Sequence, residues 1–412
     1  MRFLFVHQNF PGQYKHLALH LARTGHTVAA IGEKPNLLRG RSSLPGIQLM
    51  GYEFAPGPAN GPDAGVIAAL ARGRAAAAAA AALHREGLRP DIVFAHSGWG
   101  EATFLKDVFP QARLVLYCEF FYRSAGSDVG FDAEYAARPE TILGLRVRNA
   151  PFLMALDAAD AGVAPTIWQR LQFPARYWPQ IRVVHDGIDT DAVTPDAHAR
   201  FAVPGSDLVL TRADEVVTYV ARNLEPYRGF HSFMRAIPEI QRRRPRARIV
   251  VVGGDEVSYS PRPPRGETYR QRLLREMEGA IDHSRLHMLE RIPYADYLAL
   301  LRVSAAHVYL TYPFVLSWSM LEAMSVGAAV IGSRTPPVEE VIADGENGLL
   351  ADFFSPSDLV GKVQAVLEDA ALAQALRTGA RRTIVERYDL RRVCLPQQLA
   401  LAEELASAAV AA

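Results

Sequence analysis

The sequence predicts an α/β protein built from two doubly wound parallel-sheet domains in tandem. Three observations carry this. At 412 residues the chain is too long for one ordinary hydrophobic core. Short apolar runs alternate with helical patterns through the first half, and the alternation restarts after a break near residue 200. The runs themselves are almost unbroken by polar residues, as strands covered on both faces require.

Phe3–His7, Thr27–Ile31, Gln48–Tyr52, Ile92–Ala95, Leu114–Tyr117 and Arg182–His185 read as the buried parallel strands of the first domain. Between them lie helical patterns over Gln13–Arg23, the alanine-rich Val66–Glu86 and Thr141–Leu156. Over Thr194–Leu208 the periodicity lapses into TPDAHARFAVPGSDL, which reads as a linker. The second alternation carries strands at Val216–Ala221, Arg248–Val252, Leu286–Leu289, His307–Leu310 and Ala329–Ile331, and the chain from Asp369 is helical. Two such domains in tandem place a ligand in the cleft between strand carboxyl ends.

Composition narrows the function. A formal net charge of +1, with 22% charged residues, argues against a dedicated nucleic-acid binder. Two cysteines, Cys118 and Cys394, make neither a disulfide framework nor a zinc site and fit a reducing cytoplasm. The opening MRFLFVHQNF lacks the long apolar region of a signal peptide and reads as a strand. The apolar run Ala75–Leu83 is too short to span a bilayer, so no transmembrane segment is expected, with peripheral contact at the inner face of the membrane left open. VVGGDE at 251–256 lacks the third glycine of a dinucleotide fingerprint, and no Walker A loop occurs. Lysine, confined to positions 15, 34, 106 and 362, stands at no obvious Schiff-base position.

Two stretches of the second domain carry chemistry. VARNLEPYRGF (220–230) puts Arg222 at a strand end and Arg228 just before Gly229 and a helix. Two guanidiniums around a tight turn suit a diphosphate, because each can fork two oxygens; two solvated arginines are the alternative. TYPFVLSWSMLEAMSVG (311–327) opens a helix at Ser317 that should be buried, and its single charge is Glu322. A carboxylate carried into so apolar a helix needs a partner. In the first domain, Pro11-Gly12-Gln13 forms a small loop after the first strand, where backbone can approach a ligand closely. PDIVFAHSGWG (90–100) ends a strand at His96, and YCEFFYR (117–123) supplies Glu119, Phe120, Phe121, Tyr122 and Arg123 at another strand end. Aromatic side chains there suit an acceptor sugar, or equally a core.

Taken in order, the arginine pair with EP.RG, VVGGD, LEAMSVG and EEVIADGENGLL resemble the retaining glycosyltransferases of family 4, which have the GT-B fold. HQNFPGQYKHLALHLARTGHTVAAIG (7–32) and VVHDGIDTDAVTP (183–195) are similar to elements of their amino-terminal half, so the resemblance covers the whole chain. It implies a Rossmann-like acceptor domain over residues 1–200, a Rossmann-like donor domain over 201–385, and a helix over 386–412 that crosses back to the first domain. It implies that Arg222 and Arg228 hold the donor diphosphate and that Glu322 accepts the hydroxyls of the nucleotide ribose. By the same resemblance, Gly12 and Gln13 approach the donor, Ile292 pairs its backbone with the base, and His96 lies near the transferred sugar. The helix start at Ser317, Trp318 and Ser319 would offer N–H groups to phosphate. Glu119, Phe121, Tyr122 and Arg123 would face the acceptor. The family carries a second glutamate on the donor sugar where this chain has Phe314, which would lie beside the sugar and offer it packing without an acceptor.

The function implied is metal-independent transfer of a hexose-type sugar, with retention, from a nucleotide sugar to a glycan or glycolipid, with no cofactor. A nucleotide-sugar epimerase and a non-catalytic nucleotide-binding scaffold of a polysaccharide assembly are the alternatives on the same fold. Asp189-Thr190-Asp191 mimics a metal-binding DxD but falls in the interdomain element. His16 and His20 share a helix face with no third ligand in view. QRRRPRAR (241–248) reads as a solvated charge run between a helix and a strand.

Overall fold

The computed structural model describes residues 1–40, 44–55, 63–264 and 266–410. The chain divides into two compact units. The first comprises Met1–Gly130, Ala136–Gly187 and Leu390–Ala412; the second comprises Phe131–Tyr135 and Ile188–Asp389.

The first unit is built on seven parallel strands: β1 (Arg2–Val6), β2 (Thr27–Glu33), β3 (Ile47–Tyr52), β4 (Ile92–His96), β5 (Arg113–Tyr117), β6 (Ala161–Ala164) and β7 (Ile181–Val183). Their order in the sheet is β3-β2-β1-β4-β5-β6-β7. The apolar runs form strands here because both faces of the sheet are covered. Leu4 and Val6 of β1 pack into one core with Ala76, Ala80 and Leu83 of the helix Ala64–Arg85. Phe3 and Phe5 point into the other, with Leu17 and Leu21 of the helix Lys15–Arg23 and with Leu401 and Ala402 of the C-terminal helix Leu395–Val410. By length and composition Ala64–Arg85 could cross a membrane, so its apolar stretch runs well beyond Ala75–Leu83. Its buried small residues nevertheless lie against the sheet.

The second unit begins with an antiparallel hairpin, β8 (Arg200–Ala202) and β9 (Val209–Thr211). Six parallel strands follow: β10 (Val216–Asn223), β11 (Arg248–Gly254), β12 (Leu286–Leu289), β13 (Ala306–Tyr309), β14 (Val330–Ser333) and β15 (Leu349–Ala351), in the order β12-β11-β10-β13-β14-β15. Tyr219 of β10 stacks on Phe233 of the helix Phe230–Arg243, centroids 5.0 Å apart. On the opposite face the helices Tyr294–Val303, Trp318–Ser325 and Ala370–Arg387 share one core with Tyr309 and Val330.

Three readings of the sequence are corrected. The segment read as a linker is no open connection: Phe201, Val203 and Leu210 are buried with Leu300 and Val303, and Pro204–Asp207 supply only the hairpin turn. Thr141–Leu156 is two helices, Pro139–Arg148 and Ala150–Ala158. They part at Asn149, whose amide clamps the backbone of Tyr122, accepting from its N–H (3.2 Å) and donating to its carbonyl (2.7 Å). The strands β6 and β15 escape the apolar-run pattern because they are short, and β6 is AGVA.

Three histidines are buried in the uncharged form. Burial, with His96 nearby, lowers His7 to about 3; burial alone lowers His185 to about 4 and His307 to about 3. The unfolded chain, with histidine near its ordinary 6.5, binds more protons than the folded chain between these limits. Stability is therefore full above about pH 6.5 and is lost as the pH falls toward 4. The melting temperature should fall steadily over that interval, whereas a flat profile between pH 7.5 and 5 would refute the assignment.

Candidate functional site

Each sheet has one place where its strand order runs outward in both directions, so that the following loops diverge and leave a crevice at the strand carboxyl ends. In the first unit it lies between β1 and β4, in the second between β10 and β13. Gln13 and His96 lie at the first of these places and Arg228 at the second; the other candidates are more dispersed.

In the first unit, His7 follows β1 and His96 ends β4, with ring centroids 5.1 Å apart. Backbone amides orient both rings: Asn9 N–H donates to His7 Nδ1 and Gly98 N–H donates to His96 Nδ1, each at 2.9 Å. With Nδ1 accepting, the ring N–H of each lies at Nε2. His7 Nε2–H donates to Gln13 Oε1 (2.8 Å), and the Gln13 amide donates to Glu119 Oε1 (3.0 Å). His96 Nε2 stands 3.4 Å from Glu119 Oε2 and makes no hydrogen bond among the described residues, so the four polar side chains form a ring left open at this contact. Gly12 permits this: it has φ +47°, and a Cβ there would lie 2.5 Å from His7 Nε2. His96 is only 1% exposed, stacked between Trp99 (4.1 Å) and Tyr117 (5.4 Å).

The four residues expected to face the acceptor separate. Glu119 joins the histidine ring. Phe121 is a core side chain packed on Phe152 and Phe173, because the aromatic run YCEFFYR turns into the apolar side of the sheet. The Tyr122 ring lies under the guanidinium of Arg148 at 3.7 Å, and Arg148 also donates to its hydroxyl (2.6 Å). Arg123 is exposed and lines a groove of about 510 Å³ with Leu171 and Trp178. A larger groove of about 640 Å³ is lined by Arg72, Trp99, Glu140, Leu145, Arg148 and Phe152. Trp99, which joins that groove to His96, was not singled out in the sequence, nor was His7; their positions beside strand ends were the available signal.

In the second unit, Gly229 (φ +68°) makes the turn after β10 and starts the next helix. A side chain there would collide with Leu310 Cβ beyond β13, so the two loops approach through this glycine. Arg228 ties them: its Nη1 donates to Thr311 Oγ1 (2.9 Å) and to the Val315 carbonyl (3.0 Å). Its Nε and Nη2 have no partner, and no carboxylate pairs with it, among the described residues. Arg222 is exposed at the end of β10, likewise without an ion-pair partner among the described residues. Glu225, fully buried, holds the neighbouring loop by accepting from the N–H groups of Ser258, Tyr259 and Ser260 at 2.9–3.2 Å.

Glu322 is half-buried, and burial raises its carboxyl above the usual range while two tyrosines pull it back. Tyr294 donates to Oε1 at 2.6 Å and Tyr297 to Oε2 at 2.8 Å. The carboxylate that the sequence leaves unpartnered therefore already has two donors within the protein. Its helix is less enclosed than the apolar pattern implies, with Trp318 44% exposed. The helix start is also partly occupied: Ser317 N–H donates to Tyr309 Oη (2.8 Å) and Ser319 N–H to Ser317 Oγ (3.3 Å). Ile292 lies between β12 and Tyr294, and its backbone has no hydrogen-bond partner among the described residues. Phe314 is 3% exposed, walled by the rings of Tyr227 (5.5 Å) and Tyr259 (4.7 Å), so it offers a ligand no open face. No group of three or more histidine, cysteine or acidic side chains able to hold a metal ion occurs among the described residues.

Two doubly wound units in one chain, each with a polar cluster at its own switch point, define the GT-B class of protein. Residues 24–193 match the family model described as glycosyl transferase family 4 group, and residues 209–383 match that of glycosyl transferases group 1. The chain belongs to this family, the group 1 glycosyltransferases of family 4 type. It is 27% identical, over 45% of each chain, to D-inositol 3-phosphate glycosyltransferase of Corynebacterium efficiens. It is 26% identical to the GDP-mannose-dependent alpha-(1-6)-phosphatidylinositol monomannoside mannosyltransferase of Mycolicibacterium smegmatis, over 57% of this chain and 59% of that one. The chain thus spans about half the length of the curated relatives it matches. Among solved structures, sucrose-phosphate synthase from Thermosynechococcus elongatus superposes with a TM-score of 0.71 at 17% identity, covering 99% of this chain and all of that one. Anabaena HepE in complex with UDP gives 0.69 at 15%, covering 98% of this chain and 100% of that chain. At such identities the likeness concerns the fold alone.

Proposed function

We propose that the protein is a retaining, metal-independent glycosyltransferase that moves a hexose-type sugar from a nucleoside diphosphate to a glycan or glycolipid acceptor. The observation that carries this is Arg228, a cation at the β10/β13 switch point held only by neutral acceptors, with Nε and Nη2 unpartnered. That free edge fits two oxygens of a diphosphate, and Arg222 adds a second charge. Fixed cations of this kind stabilise the leaving diphosphate, which then takes the acceptor proton on the face where the new bond forms. The reaction needs no cofactor beyond the donor. Glu322 receives the ribose and Ile292 the base. In the first unit, the ring of His7, Gln13, Glu119 and His96 supplies polar contacts to the transferred sugar, and the groove beside Trp99 takes the acceptor. The names of the two curated relatives support a polyol phosphate or lipid-linked acceptor.

The test is incubation with a panel of nucleotide sugars including UDP-glucose and GDP-mannose, with and without chelator, while following release of free sugar and its anomeric configuration. Slow release of the retained anomer, unchanged by chelator, is expected. Strict dependence on manganese or magnesium would overturn metal independence, and an epimerised donor would favour the epimerase. Binding of UDP or GDP without turnover of any donor would favour a scaffold.

A further inference from the structure

Glu322 has two tyrosine partners, and they differ. Tyr297 is 9% exposed and packed in the core with Leu321 and Met324, so its hydroxyl stays on Oε2. Tyr294 is 56% exposed at the start of the same helix, and its ring lies tilted by 30° against that of Tyr297, centroids 5.7 Å apart. What holds its hydroxyl on Oε1 is a single hydrogen bond of 2.6 Å at an exposed position. The carboxylate therefore has one fixed donor and one exchangeable donor.

We infer that Tyr294 is a displaceable cap on Glu322, its hydroxyl standing in the free protein where a ribose hydroxyl stands in the complex. This rests on the reading of the second unit as the nucleotide-sugar site. A half-buried carboxylate costs free energy when an oxygen is left bare, and a hydroxyl donor that swings away as ligand enters keeps it satisfied throughout. A ligand that must displace an internal competitor binds more weakly by the fraction of molecules already uncapped. Tyr294 thus sets a threshold for nucleotides with ribose hydroxyls and is indifferent to those without. It is a positioning residue, acting through Glu322.

The experiment is calorimetric titration of the full chain with UDP and with GDP, and with the 2′,3′-dideoxy form of whichever binds. Tyr294→Phe keeps the ring and removes the hydroxyl. If about a tenth to a third of molecules are uncapped, it should tighten the ribonucleotide about three- to tenfold. The dideoxy form should bind the variant and the wild type alike. Tyr297→Phe, which removes the fixed donor, should give no such gain. Weaker or unchanged ribonucleotide binding by Tyr294→Phe, or equal gains for both nucleotides, would overturn the cap while leaving the site reading intact. Failure of the wild type to bind either nucleotide would overturn that reading and the cap together.

Discussion

Arg228→Ala is expected to lower turnover of the nucleotide sugar by about two to three orders of magnitude, the usual effect of deleting one fixed group aimed at developing negative charge. The loss should fall mainly on kcat, because the charge on the leaving diphosphate grows as the glycosidic bond breaks. The variant also removes the Nη1 bonds to Thr311 and Val315, so part of the loss could come from loosening the loop beyond β13. Arg228→Lys separates the two. It keeps a charge but loses the planar fork that bonds Thr311 and Val315 and that, on the proposed reading, would also take two phosphate oxygens. Recovery of most of the rate by lysine would show that charge alone matters; a defect as deep as that of alanine would show that the fork does. A rate within threefold of wild type for Arg228→Ala would sink the assignment.

Glu322→Gln is expected to weaken binding of the bare nucleoside diphosphate and of the intact donor alike. Hydrogen bonds to a charged group are worth roughly 1.5–3 kcal/mol, so the loss should be about ten- to hundredfold in Kd. Its companion result is a nearly unchanged kcat at saturation, because a group that holds only the ribose would act equally in ground and transition states. Loss of kcat without loss of affinity would move Glu322 from the ribose to the reacting centre. Fold integrity is checked at the same time, since glutamine keeps an acceptor for the buried Tyr297 hydroxyl.

The sequence conveys this architecture because of how the two sheets are buried. Strands such as β1 and β11 are covered on both faces, and their interiors are continuous apolar runs. β6 is as deeply buried, yet four small residues suffice beneath a helix, and no run announces it. The hairpin β8–β9 hides for the opposite reason: its apolar residues come singly, and only Leu300 and Val303, a hundred residues later, show where they point. The site divides in the same way. Arg228 and His96 stand out in the sequence because each ends an element, and Glu322 because it is the single charge in its helix. Tyr294 is unremarkable in sequence, and its meaning comes from a carboxylate 28 positions away. Phe314 misleads in the other direction: its position resembles one that touches a sugar, while Tyr227 and Tyr259 enclose it.

The first unit is assembled from both ends of the chain, with about two hundred residues of the second unit spliced between. The face carrying Phe5, Leu17 and Leu21 stays open until Leu401 and Ala402 arrive to cover it. On a ribosome adding roughly 5–20 residues per second, that wait lasts on the order of ten to forty seconds. The second unit draws just five residues, Phe131–Tyr135, from outside its own run, and these are made before it. Birth order and folding order are therefore reversed: the half synthesised first is completed last. A stop codon early in the helix Leu395–Val410 would strike the sheet made about two hundred residues earlier, not the one made just before it.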